Sequence, residues 1–226
     1  MNLSGRHPEA WAVVVAGGTG SRFGALKQFA DLAGRPVLAW SLASARQACR
    51  GVVAVLPPEV VAVGALDPSG WEADAVVAGG PSRSASVRAG LGAVPLSAEI
   101  IAVHDAARPL VALSVWRAVL AAVTGGADAA IPVIPVTDTV KEVATDGTLR
   151  TLDRNRLVAV QTPQAFRAGV LRRAHSAATD ATDDAALVEA LGGRVERVPG
   201  SSRSMKITSP DDLVMAAALI AREDPT

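Results

Sequence analysis

The segment WAVVVAGGTGSRFG, residues 11–24, contains the pattern that decides the fold. Its first half is a run of small and β-branched apolar residues, which is typical of a strand buried on both faces of a parallel sheet. The glycines after the run allow backbone N–H groups to approach an anion such as a phosphate without obstruction by side chains. The segment therefore predicts the first strand of an α/β sheet, with a candidate ligand-binding loop at its carboxyl end.

The rest of the chain repeats this alternation of strand and helix. The predicted strands are Trp11–Ala16, Val52–Leu56, Ala75–Ala78, Ile100–His104, Ala129–Ile134 and Arg194–Val198. The predicted helices are Val37–Ala48, Arg83–Gly92, Leu113–Thr124, Ala168–Ala178, Asp183–Leu191 and Pro210–Arg222. The order of these elements predicts an α/β fold with a Rossmann-like, mostly parallel or mixed sheet flanked by helices.

Length and composition narrow the class of protein. The 226 residues are 50% hydrophobic, and 22 basic side chains balance 22 acidic ones. This composition excludes a disordered chain, and the absence of net charge disfavours nucleic acid or an anionic membrane as the main partner. The length predicts one domain spanning residues 1–226. The single cysteine, Cys49, and the absence of a long apolar run predict a cytoplasmic protein without a membrane span.

Residues 137–161 depart from the alternation. Two short strand-like runs flank Asp146-Gly147, which is a sequence typical of the turn in a β-hairpin. Because an isolated hairpin buries little surface, this segment predicts a protruding β-arm that packs on a second copy of the chain in a homodimer.

The Gly-rich loop after the first strand does not match two common nucleotide-binding motifs. It lacks the Gly-Lys-Ser/Thr ending of a P-loop, and Phe23 stands where a dinucleotide fingerprint requires its third glycine. The loop is followed instead by Arg22 and Lys27, which could neutralise charge that develops on an attacked phosphorus atom. From these residues alone, the loop could equally be a structural turn between a strand and a helix, with Arg22 and Lys27 as solvated surface cations.

Together with Lys27-Gln28-Phe29, the Gly-rich loop resembles the signature of nucleotidyltransferases that use a sugar phosphate. Seven further motifs follow it along the chain. In chain order, these seven motifs are Gly79-Gly80 with Arg83 and Ser86-Val87, His104-Asp105-Ala106-Ala107-Arg108-Pro109, Asp138-Thr139-Val140-Lys141, Asp153-Arg154, Gln161-Thr162-Pro163-Gln164, Thr182-Asp183-Asp184-Ala185 and Lys206-Ile207-Thr208. In this order they resemble the cytidylyltransferases that act on methylerythritol phosphate.

The resemblance implies a fold, a reaction and a set of site residues. It implies the nucleotidyltransferase fold and the formation of 4-diphosphocytidyl-methylerythritol and pyrophosphate from CTP and methylerythritol phosphate, a step of the non-mevalonate route to isoprenoids. It implies catalytic roles for Arg22, Lys27 and Lys206. The implied contacts with CTP are Ala16, Gly17, Gly18, Gly80, Arg83, Ser86 and Ala106. The implied contacts with the sugar phosphate are Asp105, Arg108, Thr139, Arg154, Thr162 and Thr182.

Three further expectations accompany that set. Thr139 and Arg154 lie on the predicted arm, and the resemblance implies that they complete the site of the neighbouring subunit. Mg²⁺ is the expected metal, with Asp105 as its candidate ligand. His104 ends a predicted buried strand, and we expect it to be structural rather than catalytic.

Two other functions fit part of the pattern. A ribitol phosphate cytidylyltransferase shares the Gly-rich loop and the Lys-Gln-Phe run, whereas a silent nucleotide-binding module would bind CTP without turnover. The Ala-Ala pair at residues 106–107 and the block at residues 138–141 favour the methylerythritol phosphate enzymes.

Overall fold

The computed structural model describes residues 7–17, 26–62, 71–176, 180–181 and 183–222. The strands are β1 (His7–Val15), β2 (Asp31–Leu32), β3 (Arg35–Pro36), β4 (Cys49–Leu56), β5 (Ala75–Ala78), β6 (Ile100–Asp105), β7 (Ala129–Pro135), β8 (Lys141–Val143), β9 (Leu149–Thr151), β10 (Val158–Val160), β11 (Gln164–Arg167) and β12 (Val195–Pro199). The helices are α1 (Val37–Ala48), α2 (Pro58–Ala62), α3 (Arg83–Ala93), α4 (Leu113–Thr124), α5 (Ala168–Ser176), α6 (Asp184–Ala190) and α7 (Pro210–Ala221). Short 3-10 helices occupy Lys27–Phe29 and Arg154–Arg156.

The central sheet is mixed, as the sequence predicts. Strands β5, β4, β1 and β6 follow one another in parallel, and β11 runs antiparallel between β6 and β7. One edge of β7 pairs antiparallel with β11 and then with β10, and the registers of these two strands on β7 differ by two residues. The opposite edge of β7 pairs in parallel with β12. The carboxyl ends of β1, β4, β5 and β6 therefore share one edge of the sheet, where open α/β sheets bind ligands.

Alternating residues of the strands fill two hydrophobic cores. In β1, Val14 faces the core that contains Leu42 of α1 and Trp116 of α4. The next residue back, Val13, faces the core built with Val87 of α3 and helices α5 and α6. This period of two explains why the strand reads as a continuous apolar run, since both faces of the sheet are covered by helices.

The predicted elements are largely confirmed, with shifts at their ends. The bounds of α1, α4 and β5 agree with the prediction. Strand β1 begins at His7 rather than at Trp11, with a register shift between these two residues. Strands β10 and β11 were not predicted. Within the described residues, no helix is long and apolar enough to cross a membrane.

The segment 137–161 contains the predicted hairpin but does not lie wholly apart from the main sheet. Strands β8 and β9 pair antiparallel with each other, and Gly147 in their connection adopts a φ of +82°, which favours glycine. Val143 and Leu149 are 67% and 64% exposed. Residues Val158–Val160, which form β10, pair with β7 of the main sheet, so the segment is not an arm over its whole length.

Helix α3 lies against the sheet through a glycine. A Cβ atom on Gly90 would lie 2.4 Å from Cγ1 of Val13 and 2.9 Å from Cγ2 of Val55. Gly92, two residues later, has open space around the same position. The close approach of α3 to β1 and β4 therefore requires glycine at position 90 but not at position 92.

We expect Gly90→Ala to lower the free energy of unfolding by about 1–3 kcal/mol, because the added methyl group overpacks the contact with β1 and β4. The matched control is Gly92→Ala, which we expect to raise it by about 0.5–1 kcal/mol through helix propensity. Urea unfolding followed by circular dichroism measures both. Equal effects of the two substitutions would contradict the close contact at Gly90.

Candidate active site

A cleft of about 660 Å³ opens at the carboxyl ends of β1, β4, β5 and β6. It brings together many of the site residues that the sequence predicts. Those that line it are Ala16, Gly17, Lys27, Gly80, Arg83, Ser86, Asp105, Ala106 and Lys206. Because they come from five separate parts of the chain, their convergence is a property of the sheet topology.

The floor of the cleft is backbone. A Cβ atom on Gly79 would lie 3.3 Å from Cα of Gly17 and 2.9 Å from Oγ of Ser86, so side chains are excluded where the two loops meet. The Ser86 hydroxyl accepts a hydrogen bond from the backbone N–H of Gly80 at 3.1 Å. These contacts fix a smooth surface against which a flat base or a phosphate chain can lie closely.

Asp105, the last residue of β6, is the electrostatic centre of the cleft. Its Oδ2 accepts a hydrogen bond from Nζ of Lys206 at 2.7 Å, and its Oδ1 accepts one from Nε of Arg83 at 3.2 Å. Burial by itself raises the pKa of Asp105, but Arg83, Lys206 and Arg108 outweigh it and hold that pKa well below the usual range. The carboxylate therefore stays ionised and holds two cations at the cleft wall.

Lys27 and Lys206 are brought to the same side of the cleft by the segment before α7. Nζ of Lys27 donates to the carbonyl of Ile207 at 2.9 Å, and the N–H of Ile207 donates to the carbonyl of Ala107 at 2.8 Å. The Ile207 side chain is fully buried in a small apolar cluster with Leu32, Val37 and Ala216. This cluster anchors the segment, and Lys206, the residue before Ile207, lines the cleft.

A comparison with known families identifies this arrangement. A family model described as IspD, 2-C-methyl-D-erythritol 4-phosphate cytidylyltransferase, matches residues 10–222. The chain belongs to the IspD family.

Individual relatives agree with the family model over most of the chain. The 2-C-methyl-D-erythritol 4-phosphate cytidylyltransferase of Frankia casuarinae is 46% identical over 225 residues, covering 96% of this chain and 84% of the relative. That of Rhodococcus opacus is 46% identical over 223 residues and covers 96% of each chain. The crystal structure of the Thermus thermophilus enzyme is 39% identical with a TM-score of 0.78, covering 93% of this chain and 98% of that one. The predicted family, nucleotidyltransferase activity and mixed α/β fold are confirmed.

Two predicted substrate contacts do not line the cleft of this IspD chain. The Thr162 hydroxyl is buried, where it accepts from the N–H of Asp105 and donates to Nδ1 of His104, each at 3.0 Å. Nη1 of Arg108 donates to the carbonyl of Ser204 at 2.7 Å, so its guanidinium is bonded to backbone. Both side chains brace elements that carry Asp105 and Lys206.

His104 is structural, as the sequence predicts. The carbonyl of Arg108 can only accept, so Nε2 carries the ring proton and donates to it at 3.2 Å, and the unprotonated Nδ1 accepts from the Thr162 hydroxyl. Burial lowers the pKa of His104 to about 4, outweighing the attraction of Asp105 for the charged form. The ring is therefore neutral at pH 7, and both nitrogens are occupied.

Other predicted site residues lie elsewhere. Thr139 and Arg154 are exposed near the β8–β9 hairpin and do not line the cleft of their own chain, and Arg154 donates to the carbonyl of Thr137. Gly18, Arg22 and Thr182 lie outside the described residues.

The sequence interpretation overlooks Asp184, which it assigns only to the start of a helix. The cap of α6 is Asp183, whose carboxylate accepts from the N–H of Ala186 at 2.9 Å. The side chain of Asp184 turns inward and accepts from Nη1 of Arg83 at 2.8 Å. The sequence does contain a signal for this second role, because one acidic residue is enough to cap the helix and two adjacent ones are present.

The donor set for a metal ion is small. Among the described residues, no group of three or more His, Cys, Asp or Glu side chains could hold one. The carboxylates of the described cleft wall are Asp105 and Glu59, and both oxygens of Asp105 are ion-paired. Of the two, Asp105 is buried and Glu59 is exposed, so the described residues offer a metal ion at most one buried carboxylate.

Proposed function

We propose that this chain transfers the cytidylyl group of CTP to 2-C-methyl-D-erythritol 4-phosphate, with Arg22, Lys27 and Lys206 as the catalytic cations. The observation that carries the proposal is the position of Lys27 and Lys206 on one side of a cleft floored by glycines. Family membership indicates the two substrates, and the lysines of the cleft provide the positive charge that is needed to bring two polyanions together.

In the proposed reaction an oxygen of the sugar phosphate attacks the α-phosphorus of CTP. A new P–O bond forms, the bond from the α-phosphorus to the bridging oxygen breaks, and pyrophosphate leaves with that electron pair. A phosphate monoester has its second pKa near ~6, so the nucleophile is mostly dianionic at pH 7 and needs no general base. The obstacle is repulsion between anions, and the cations reduce it by holding both groups in line.

The CTP contacts proposed for the described residues are the backbone near Ala16, Gly17 and Gly80 and the side chains of Arg83 and Ser86. Glycine at two of these positions leaves N–H groups accessible to the nucleotide. Ala106 follows Asp105 and leaves room above the strand end for a ribose. A bound Mg²⁺ ion would neutralise part of the triphosphate charge, and Asp105 is its proposed protein ligand.

The proposal includes a cytoplasmic homodimer in which the segment 137–161, part of one domain, serves the second copy. Thr139 and Arg154 are exposed and remote from their own cleft, and the nearby β8–β9 hairpin exposes apolar side chains. A second subunit would cover those side chains and receive Thr139 and Arg154 as contacts to the sugar phosphate. The buried, unpaired thiol of Cys49 accords with a reducing compartment.

The function is tested by pyrophosphate release from CTP and methylerythritol phosphate with Mg²⁺. We expect turnover with CTP and at least tenfold lower kcat/KM with ATP, GTP or UTP, because a site that reads the polar edge of a base discriminates strongly. Ribitol phosphate is the parallel acceptor. Faster turnover with ribitol phosphate would replace the proposed acceptor, and CTP binding without pyrophosphate release would favour a silent module.

We expect Lys27→Ala to lower kcat by about 10²–10³-fold while weakening CTP binding much less, because its ammonium group acts mainly on the transition state. The control is Arg50→Ala, which removes an exposed cation at the opposite end of the sheet, near the start of β4. Steady-state kinetics and calorimetric titration with CTP separate the two effects. Unchanged turnover in Lys27→Ala would refute the assigned role.

A shared site makes a second prediction. Arg154→Ala and Lys27→Ala proteins should each be nearly inactive, yet mixing them should restore activity, because every hybrid dimer contains one site with both native residues. Subunit exchange is verified by mass spectrometry with one isotopically labelled partner. Confirmed exchange without any gain in activity would show that Arg154 does not serve the other subunit.

A further inference from the structure

A line of polar and charged side chains runs behind the cleft and ends at Lys206. Nε2 of His175 in α5 donates to Oδ1 of Asp184 at 2.9 Å, and Oδ2 of Asp184 accepts from Nη1 of Arg83 at 2.8 Å. Arg83 donates from Nε to Asp105, which pairs in turn with Lys206. The line thus connects α5, α6, α3 and β6 with the segment that precedes α7.

Asp184 is the more enclosed of the two carboxylates in this line. Its side chain is 1% exposed, against 12% for Asp105. The Asp184 carboxylate accepts from Arg83 on one oxygen and from His175 on the other, so both oxygens have partners. A carboxylate so placed is rigid, and it presents one oxygen to Arg83 at a fixed position.

The two carboxylates that contact Arg83 bind different nitrogens. Asp105 accepts from Nε, and Asp184 accepts from Nη1. Because the guanidinium is planar, two contacts at different nitrogens fix both its position and its rotation. Without Asp184, Arg83 would keep Asp105 as its one carboxylate partner among the described residues and would be free to draw that carboxylate away from Lys206.

Helix formation does not account for the Asp184 carboxylate. Asp183 already caps α6, and the Asp184 side chain turns away from the helix end. The ion pair is also weak evidence for a purely stabilising role, because a buried ion pair is often no more stabilising than apolar groups of similar volume. Its position behind two cations of the cleft therefore calls for a role in the site.

We propose that Asp184 is a positioning residue for the transfer reaction: it holds Arg83 and, through Arg83 and Asp105, sets the position of the Lys206 ammonium group. His175 orients Asp184 from behind. This inference rests on the proposed function for its kinetic consequence, but the geometry it describes exists without substrate.

A double-mutant cycle tests the kinetic consequence. We expect Asp184→Asn to lower kcat by about tenfold in the native background and by less than about twofold when Arg83 is already Gln, because the effect passes through Arg83. Asp183→Asn is the matched control, since it removes the same charge one residue away and asparagine still caps the helix. We expect its kcat to stay within about twofold of the native value. Equal losses from Asp184→Asn in both backgrounds would overturn the proposal.

A spectroscopic readout separates this inference from the proposed function. The chain has only three lysines, Lys27, Lys141 and Lys206, so the ¹³Cε signals of labelled lysine can be assigned by substitution. In the ligand-free protein, we expect Asp184→Asn to move the Lys206 signal and leave that of Lys141 unchanged, whereas Asp183→Asn moves neither. An unmoved Lys206 signal would refute the inference even if turnover is normal. A moved signal would support it even if the chain fails to turn over CTP.

A second variant, Arg83→Lys, tests the proposal if the Asp184→Asn protein does not fold. This substitution keeps the charge at a partly exposed position but cannot reach two carboxylates with a rigid fork. We expect it to move the Lys206 signal and to lower kcat by about tenfold, with an unfolding temperature close to that of the native protein. Native kcat and an unmoved signal in this variant would overturn the proposal.

Discussion

The arrangement of the cleft depends on one buried carboxylate that is shared by two cations. Asp105 lies at the end of a strand that pairs with β1 on one side and β11 on the other, so its position is set by the interior of the sheet. Without it, Arg83 and Lys206 would face each other across a partly desolvated space and repel. With it, positive charge can be gathered for a polyanionic substrate at moderate electrostatic cost.

The elements around Asp105 hold it rather than compete for it. The Thr162 hydroxyl binds its backbone N–H, His104 binds that hydroxyl, and Arg108 ties the neighbouring turn to the segment carrying Lys206. Each of these side chains has the chemistry of a ligand-binding residue, yet each is bonded to the protein. The part of the cleft around Asp105 is therefore held in place by the protein's own hydrogen bonds, which reduces the ordering that binding and reaction require.

Much of the fold could be predicted because local and global signals agree. Helices α1 and α4 and strand β5 have clear periodicity and clear ends, and their bounds were predicted. Strand β11 was missed because its pairing between β6 and β7 is set by distant residues. In the site, the motif residues Lys27, Arg83 and Lys206 reach the cleft, whereas Thr162 and Arg108 turn away. Spacing along a chain identifies which residues are near a site but not which way each side chain points.

The order in which the chain is made adds a consequence of the contact between Lys27 and Ile207. Lys27 is synthesised early, but Ile207, which accepts its hydrogen bond, comes some 180 residues later, in a segment whose anchor includes Ala216 of the last helix. A nascent polypeptide on the ribosome can form the early strands and the glycine floor of the cleft before that segment is made. The side of the cleft that carries Lys27 and Lys206 is therefore complete only after synthesis has passed α7.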